Sequence, residues 1–483
     1  MEQKTKKGLK MPSAFSILFI LIGLLAIITN LLPAISADDL AAALENGEQL
    51  KGVVHATFAD FAMAAPLGFE DALGVCAFVL CIGGFLGVVT KTGALDAGIA
   101  ALVKKMNGNE LMLIPVLMLV FSLGGTTYGM CEETMAFYAL VVGTMMAAGF
   151  DAMVGVAIIL LGAGVGCLGS TVNPFAVGAA GDALQGVGIT ANQSIILALG
   201  AILWLSSLVI SIVFVYRYAK KVKATGKSIL TAAERAASEA EYRNGVENNV
   251  ELTGKQKVTL VLFALSFVIM IVSLIPWGSF GINMPAFTGF LVGCPFGDWY
   301  FSELQVWFVV MAIIIGLVNR IPEKEFISTF MAGAADMISV VLIIVVARGI
   351  TVIMSKTGLD MYILQHAANA LKGMNSSVFT VLSYLVYLLL SFLIPSTSGL
   401  AGASIPTFGA LTQQIGLSPE VMVMIYCAAC GVVNLITPTS AVVMGGTSLA
   451  KIEYPTWVKF VLPLCGILIV ANIVILSIAM MML

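Results

Sequence analysis

Gly169-Ser170-Thr171-Val172-Asn173-Pro174-Phe175 interrupts an apolar region with polar residues and a proline. Asn434-Leu435-Ile436-Thr437-Pro438-Thr439-Ser440 does the same near the other end of the chain, at an equivalent place in a second half. Inside a membrane, irregular polar backbone survives only where it is buried in protein or lines a cavity. Two such breaks at matching positions of a repeat point to a substrate site of a secondary transporter. Asn173 and Thr437 suit N-caps, and Pro174 and Pro438 suit the first helical position, where a missing N–H costs nothing. Each break then starts a short helix with its N-terminus inside the protein. Unpaired N–H groups and the positive dipole end favour a carboxylate there. Carbonyls freed before the break offer a seat for a sodium ion or a proton carrier. Ser170, Thr171, Asn434, Thr439 and Ser440 supply further polar lining. A single proline of this kind reads more simply as a kink satisfied by its neighbours; the repetition favours a site.

Composition fixes the solvent. The 483 residues are 59% hydrophobic and 11% charged, with a mean hydropathy of +1.03. Soluble domains are about 25% charged. Apolar runs long enough for a hydrocarbon core of about 30 Å recur along the chain. They predict spans near 13–33, 68–90, 110–128, 130–149, 152–169, 192–218, 257–276, 304–320, 336–355, 376–394, 400–416, 419–435 and 456–482, some of them re-entrant. Ala34-Ile35-Ser36-Ala37 resembles a signal-cleavage site, but the run before it has the length of a span. Lys4, Lys6, Lys7 and Lys10 place the N-terminus in the cytoplasm, and the acidic stretch 34–67 reads as an external loop. No basic patch with interleaved aromatics suggests nucleic acid. No His/Cys/Asp/Glu set has metal-ligand spacing, and no nucleophile has a base nearby, so neither an enzyme nor a metal site is expected. Cys427-Ala428-Ala429-Cys430 fits a CxxC pattern without the βαβ surroundings of a redox motif.

The chain divides into an N-terminal half (1–219), a polar cytosolic linker (220–257) with a short alanine-rich helical stretch from Thr231 to Arg243, and a C-terminal half (258–483). The linker reads as a plain covalent connection. At an offset of about 265, Asp71–Asp96 aligns with Asp336–Asp360, Thr126-Thr127-Tyr128-Gly129 with Ser396-Thr397-Ser398-Gly399, and the first break with the second. The helix before Lys91 runs inward and the one before Lys356 outward, which makes the repeats inverted in topology. The expected fold is an all-α polytopic membrane protein of two inverted repeats with broken helices and re-entrant hairpins around a midplane site.

Three further features carry chemistry. Glu132-Glu133 follows a second glycine-rich break, and a carboxylate at membrane depth needs a partner or a cavity. It would bind a cationic headgroup, a coupling cation or a proton; a snorkelling interfacial pair is the alternative. Arg348 lies within Ile343–Ile350 and its repeat mate is Gly83. It either clamps a substrate carboxylate bidentately or serves as a fixed counter-ion to Asp336, Asp71, Glu132 or Glu133. Ser396, Thr397 and Ser398 offer hydroxyls opposite the glutamates in the repeat scheme, or simply glue helices together.

Gly129-Met130-Cys131-Glu132-Glu133-Thr134, the two breaks, and Ile394-Pro395-Ser396-Thr397-Ser398-Gly399 together resemble the YfcC-like family of bacterial carriers, related to the anaerobic four-carbon dicarboxylate carriers of the ion transporter superfamily. The resemblance runs from about Met11 to the C-terminus. Family members often carry Pro-Ser-Gly-Ser-Gly where this chain has Pro395-Ser396-Thr397-Ser398-Gly399. The resemblance implies an inner-membrane secondary carrier that works as a homodimer among membrane lipids, by an elevator-like movement. The expected function is exchange of cationic amino acids such as arginine and ornithine, a small-molecule substrate, with no cofactor. A dicarboxylate carrier coupled to sodium or protons is the alternative, and a channel-like pore the third reading.

Overall fold

The two breaks fall between α8 (Ala152–Gly169) and α9 (Ala179–Gly186), and between α19 (Pro419–Asn434) and α20 (Ala441–Leu449). The computed structural model describes residues 14–46, 48–106, 109–242, 252–275, 277–394 and 396–483. Lys4, Lys6, Lys7, Lys10, Arg243 and Pro395, used above, lie outside them. Apart from one isolated pairing of Ala34 with Val53, the described residues form no strand. Nine of their helical stretches are long and apolar enough to cross a membrane. Several keep apolar side chains outward, such as Val209, Val261, Leu462 and Val470. In water such faces would be a liability; against lipid tails they cost nothing.

In the first half, α1 (Ala14–Leu31) and α2 (Ala37–Asn46) lead to α3 (Phe58–Asp71) and α4 (Leu73–Lys91), which form one kinked helix bent at Ala72. After α5 (Ala94–Met106), a hairpin joins α6 (Leu113–Tyr128) to α7 (Tyr138–Ala147) through a 3₁₀ turn at Glu132–Phe137, and both arms pack on α8. The broken helix α8–α9 follows, and α10 (Gln193–Thr225) ends the half. The linker holds α11 (Ala232–Tyr242), and α12 (Gly254–Leu274) and α13 (Phe301–Asn319) open the second half. Its kinked helix is α14 (Glu323–Asp336) with α15 (Ile338–Thr357), bent at Met337. Then come α16 (Leu359–Ala370), a hairpin of α17 (Ser376–Leu393) and α18 (Thr397–Gln414), the broken helix α19–α20, and α21 (Tyr454–Met482).

This departs from the sequence expectation in three places. The supposed external loop 34–67 contains α2 and most of α3. The polar start of the second kinked helix, α14, was expected as no span at all. Helices α10 and α12 also run into the expected linker, to Thr225 and from Gly254.

The two kinked helices run antiparallel: α3 packs on α15 and α4 on α14. Glycines set the spacing. A Cβ on Gly68 would stand 2.5 Å from the Val345 carbonyl oxygen, and one on Gly333 would stand 2.4 Å from that of Gly83. Small residues let backbones approach this closely. Ion pairs follow the same exchange. Lys91 meets Glu325 at 2.9 Å, and Lys356 meets Asp60 at 2.5 Å. Adding 265 to Lys91 and Asp60 gives Lys356 and Glu325. Each kinked helix thus contributes the lysine to one pair and the acid to the other.

The linker is more than a connection. Glu234 is buried and its carboxylate caps α11 through the Thr231 N–H (2.7 Å). Its second oxygen accepts the N–H of Glu453, the N-cap of α21, at 2.9 Å. Ser238 and Tyr242 donate to the carbonyls of Ala450 (2.9 Å) and Leu449 (2.8 Å), at the end of α20. At the start of α8, the N-cap Asp151 accepts from Tyr218 on α10 (2.6 Å) and from Ser228 in the linker. The linker therefore joins the start of the first broken helix to the end of the second.

Candidate functional site

Each hairpin tip is fastened to the break of its own half. In the first half, Thr126 donates to Thr171 Oγ1 (3.1 Å), and its own Oγ1 accepts the Thr171 N–H (3.0 Å). Thr171 Oγ1 donates back to the Thr126 carbonyl (3.1 Å). Gly129 turns the tip with φ +78°, and a Cβ there would lie 2.6 Å from Asn173 Oδ1. In the second half, Tyr426 donates to the Thr397 carbonyl (2.7 Å) and Thr439 reaches the Phe392 carbonyl (3.4 Å). Polar backbone that would be costly in lipid thus finds partners in protein.

The breaks differ in a way the sequence did not show. Asn173 is the N-cap of the first, with Pro174 at N1, and its Oδ1 accepts the Phe175 N–H at 2.9 Å. That helix start is capped from within. In the second break the N-cap is Ser440, not Thr437, and Pro438 sits in a turn before the helix. Thr437 is occupied instead by Thr439, its Oγ1 lying 2.7 Å from Thr439 Oγ1. Tyr454 and Trp457 hold the Ile436 and Leu435 carbonyls at 2.7 and 2.9 Å, which fixes the turn and delays the restart of the helix. Ser440 makes no side-chain cap bond. The first N–H groups of α20 have no partners within the helix.

These elements surround a cavity of about 410 Å³. Glu132 and Glu133 line it from the first tip, Asn173 from the first break, and Ser396, Thr397 and Ser398 from the second tip. Asn434, Thr439 and Ser440 line it from the second break, and Arg348 from α15. Three expected residues stand behind the wall. Ser170 is fully buried, with its hydroxyl turned back to the Cys167 carbonyl and accepting Asn173 Nδ2 at 3.1 Å. Thr171 is committed to Thr126, and Thr437 to Thr439. They position the lining without forming it.

Both glutamates reach the cavity wall. Successive residues of a 3₁₀ turn differ by about 120°. Glu133 is 7% exposed and accepts the Cys131 N–H at 3.0 Å. Arg348 NH1 lies 3.6 Å from Asp71 Oδ2, a single contact rather than a fork. Among the described residues neither Glu132 nor Glu133 has a basic partner.

Sequence reasoning missed several lining residues. Phe175 and Tyr300 face each other with ring centroids 5.5 Å apart. Cys131, Cys167, Cys427 and Cys430 also line the cavity. The cysteines sit at or just before the tip and the breaks, a signal that could have been read. Tyr300, at the end of a long loop before α13, carried none.

Residues 11–481 match the family model described as the C4-dicarboxylate anaerobic carrier. The chain belongs to this family. It is 32% identical over 425 residues to an uncharacterized protein of Haemophilus influenzae, covering 87% of this chain and 78% of that one. It is 27% identical over 442 residues to the putative basic amino acid antiporter YfcC of Escherichia coli, covering 89% and 81%. Among solved structures it is similar to MtrF of Neisseria gonorrhoeae, described among a class of antimetabolite efflux pumps (TM-score 0.44, 18% identity, 99% and 96% covered). It is also similar to the YdaH transporter of Alcanivorax borkumensis (TM-score 0.44, 16% identity, 97% and 98% covered). This family member is a multi-pass membrane transporter.

Proposed function

We propose that the protein exchanges cationic amino acids, arginine- and ornithine-like, across the bacterial inner membrane. The acidic and basic side chains of the cavity carry this reading. They are Asp71, Glu132, Glu133 and Arg348, three carboxyl groups against one guanidinium, and that guanidinium already faces Asp71. Two carboxylates remain without a cation. A buried unpaired charge is costly, so the site favours a ligand that brings positive charge. The α-carboxylate of the same ligand suits the uncapped start of α20 beside Thr439 and Ser440. The name of the Escherichia coli relative, a putative basic amino acid antiporter, supports the same class. Exchange follows if the empty carrier cannot reorient with its glutamates unpaired. The antiparallel kinked helices support inverted repeats and alternating access. A cytoplasmic N-terminus and linker, a homodimer and an elevator-like movement remain parts of this proposal.

A second reading, a dicarboxylate carrier coupled to sodium or protons, rests on the family name, the α20 start and Arg348. There the glutamates would hold the coupling cation. Ligand-dependent melting of the purified protein separates the two readings. A ligand at a hundred times its Kd stabilises the folded state by about 2.7 kcal/mol. Arginine and ornithine should raise the melting temperature and succinate should leave it unchanged. Stabilisation by succinate alone would transfer the case to the second reading.

A further inference from the structure

We propose that Cys131 and Cys167 form an oxidation site in the cavity wall, joined as a disulfide by a small peroxide that enters with the solvent. The proposal rests on the cavity geometry, not on which substrate the cavity takes. Cys131 sits at the first hairpin tip and Cys167 in the last turn of α8, and both are partly exposed. Their Sγ atoms are 3.7 Å apart, and Cys167 Sγ also lies 3.5 Å from the Met130 carbonyl. The approach follows from glycine: a Cβ on Gly125 of α6 would stand 2.9 Å from the Cys167 N and 3.0 Å from Gly166 Cα. A disulfide needs Sγ atoms about 2.0 Å apart, so the tip must close slightly onto α8. The other pair lacks this freedom. Cys427 and Cys430 are both fixed on α19, and Cys430 Sγ is already met by Thr397 (3.7 Å) and by Asn434 (3.4 Å).

The chemistry balances with hydrogen peroxide as the oxidant. One thiolate attacks a peroxide oxygen, the O–O bond breaks, and a sulfenic acid and one water result. The second sulfur attacks the sulfenic sulfur, the S–O bond breaks, and a second water leaves as the S–S bond forms. Two electrons pass from the sulfurs to the peroxide, and both thiol protons end in water.

The consequence reaches the glutamates directly. The Cys131 N–H holds Glu133, and the Cys131 carbonyl accepts Thr134 Oγ1 at 2.6 Å. Drawing Cys131 towards α8 moves that carboxylate and ties the tip to the broken helix. Oxidation therefore stops transport until a dithiol reductant reopens the bond.

The test treats the full-length protein in liposomes with hydrogen peroxide, blocks the remaining thiols with N-ethylmaleimide, and maps disulfide-linked peptides by mass spectrometry. Transport is read in parallel, each variant against its own untreated rate. Wild type should yield the 131–167 linked pair and lose transport, and dithiothreitol should restore both. Cys131→Ser and Cys167→Ser, with Cys131→Ala and Cys167→Ala as second variants, should keep their untreated rates. Recovery of both cysteines as alkylated thiols after peroxide would overturn the site, whatever the substrate. Linkage without loss of transport, or equal loss in the single variants, would overturn its effect on the carrier.

Discussion

Glu133 concentrates the problem that the cavity poses. It is buried, held by one backbone N–H and adjacent to a second carboxylate, while the guanidinium across the cavity is directed at Asp71. A ligand cation is the missing partner in the proposed reading. Hydrogen bonds to charged groups contribute about 1.5–3 kcal/mol, roughly ten- to a hundredfold in affinity. Glu132→Gln and Glu133→Gln are each expected to weaken arginine by about that factor while the protein still purifies folded, measured as the concentration dependence of uptake. Undiminished affinity in both would remove the carboxylates from recognition. Arg348 gives a different expectation. Its single 3.6 Å contact asks for a charge and not a fork, so Arg348→Lys should keep transport and Arg348→Ala should lose it. A lysine variant as inactive as the alanine one would restore the bidentate clamp.

At the scale of elements, the sequence announced its breaks more clearly than its helices. Polar, proline-bearing runs inside apolar regions have few explanations, which is why Asn173 and its surroundings were legible. Thr437 shows the limit. Thr437-Pro438 and Ser440 both satisfy the local rules for a helix start, and Tyr454 and Trp457 on α21 decided between them. Helices α3 and α14 escaped notice for another reason. Pro66, Gly68 and the acids of α3, and Glu323, Lys324 and Glu325 of α14, dilute the apolar signal, yet each continues into a long apolar helix through one bent residue. The docking of α11 was invisible because nothing local distinguishes Glu234, Ser238 and Tyr242 from a solvated face.

That docking has its own test. Burial pushes the Glu234 carboxyl upward, but the N–H groups of Thr231 and Glu453 and the hydroxyls of Thr231 and Thr456 outweigh it and hold it below its ordinary value of 4.5. A group that titrates lower when docked stabilises docking fully above its free pKa, and that support is lost as pH falls through the docked value. Protection of α11 against hydrogen exchange should therefore be full at neutral pH and decline in acid below the ordinary glutamate range. Glu234→Ala removes the cap and strands the Glu453 N–H, an expected loss of about 1–3 kcal/mol already at neutral pH. Protection that ignores both pH and the substitution would show that α11 is held by other contacts.

For the whole molecule, three stretches of sequence suggest a repeat, and the structure adds contacts that join the two kinked helices. Gly68 against α15 and Gly333 against α4 bring the two kinked helices together, with an ion pair at each end. Gly333→Val places a side chain where backbone already stands. Overpacking of this kind costs about 1–3 kcal/mol. Its melting temperature in detergent should fall well below that of Lys91→Ala, since Lys91 and Glu325 form an exposed pair worth little. Equal melting temperatures would mean that the glycine crossing does not hold the halves together.

The central claim concerns what the cavity accepts, and counterflow in proteoliposomes tests it most directly. Vesicles loaded with ornithine receive labelled arginine outside, with parallel sets for succinate and for neutral amino acids. The account predicts arginine uptake that depends on internal ornithine and is absent from vesicles without counter-substrate. Uptake of succinate with silence towards arginine would contradict it.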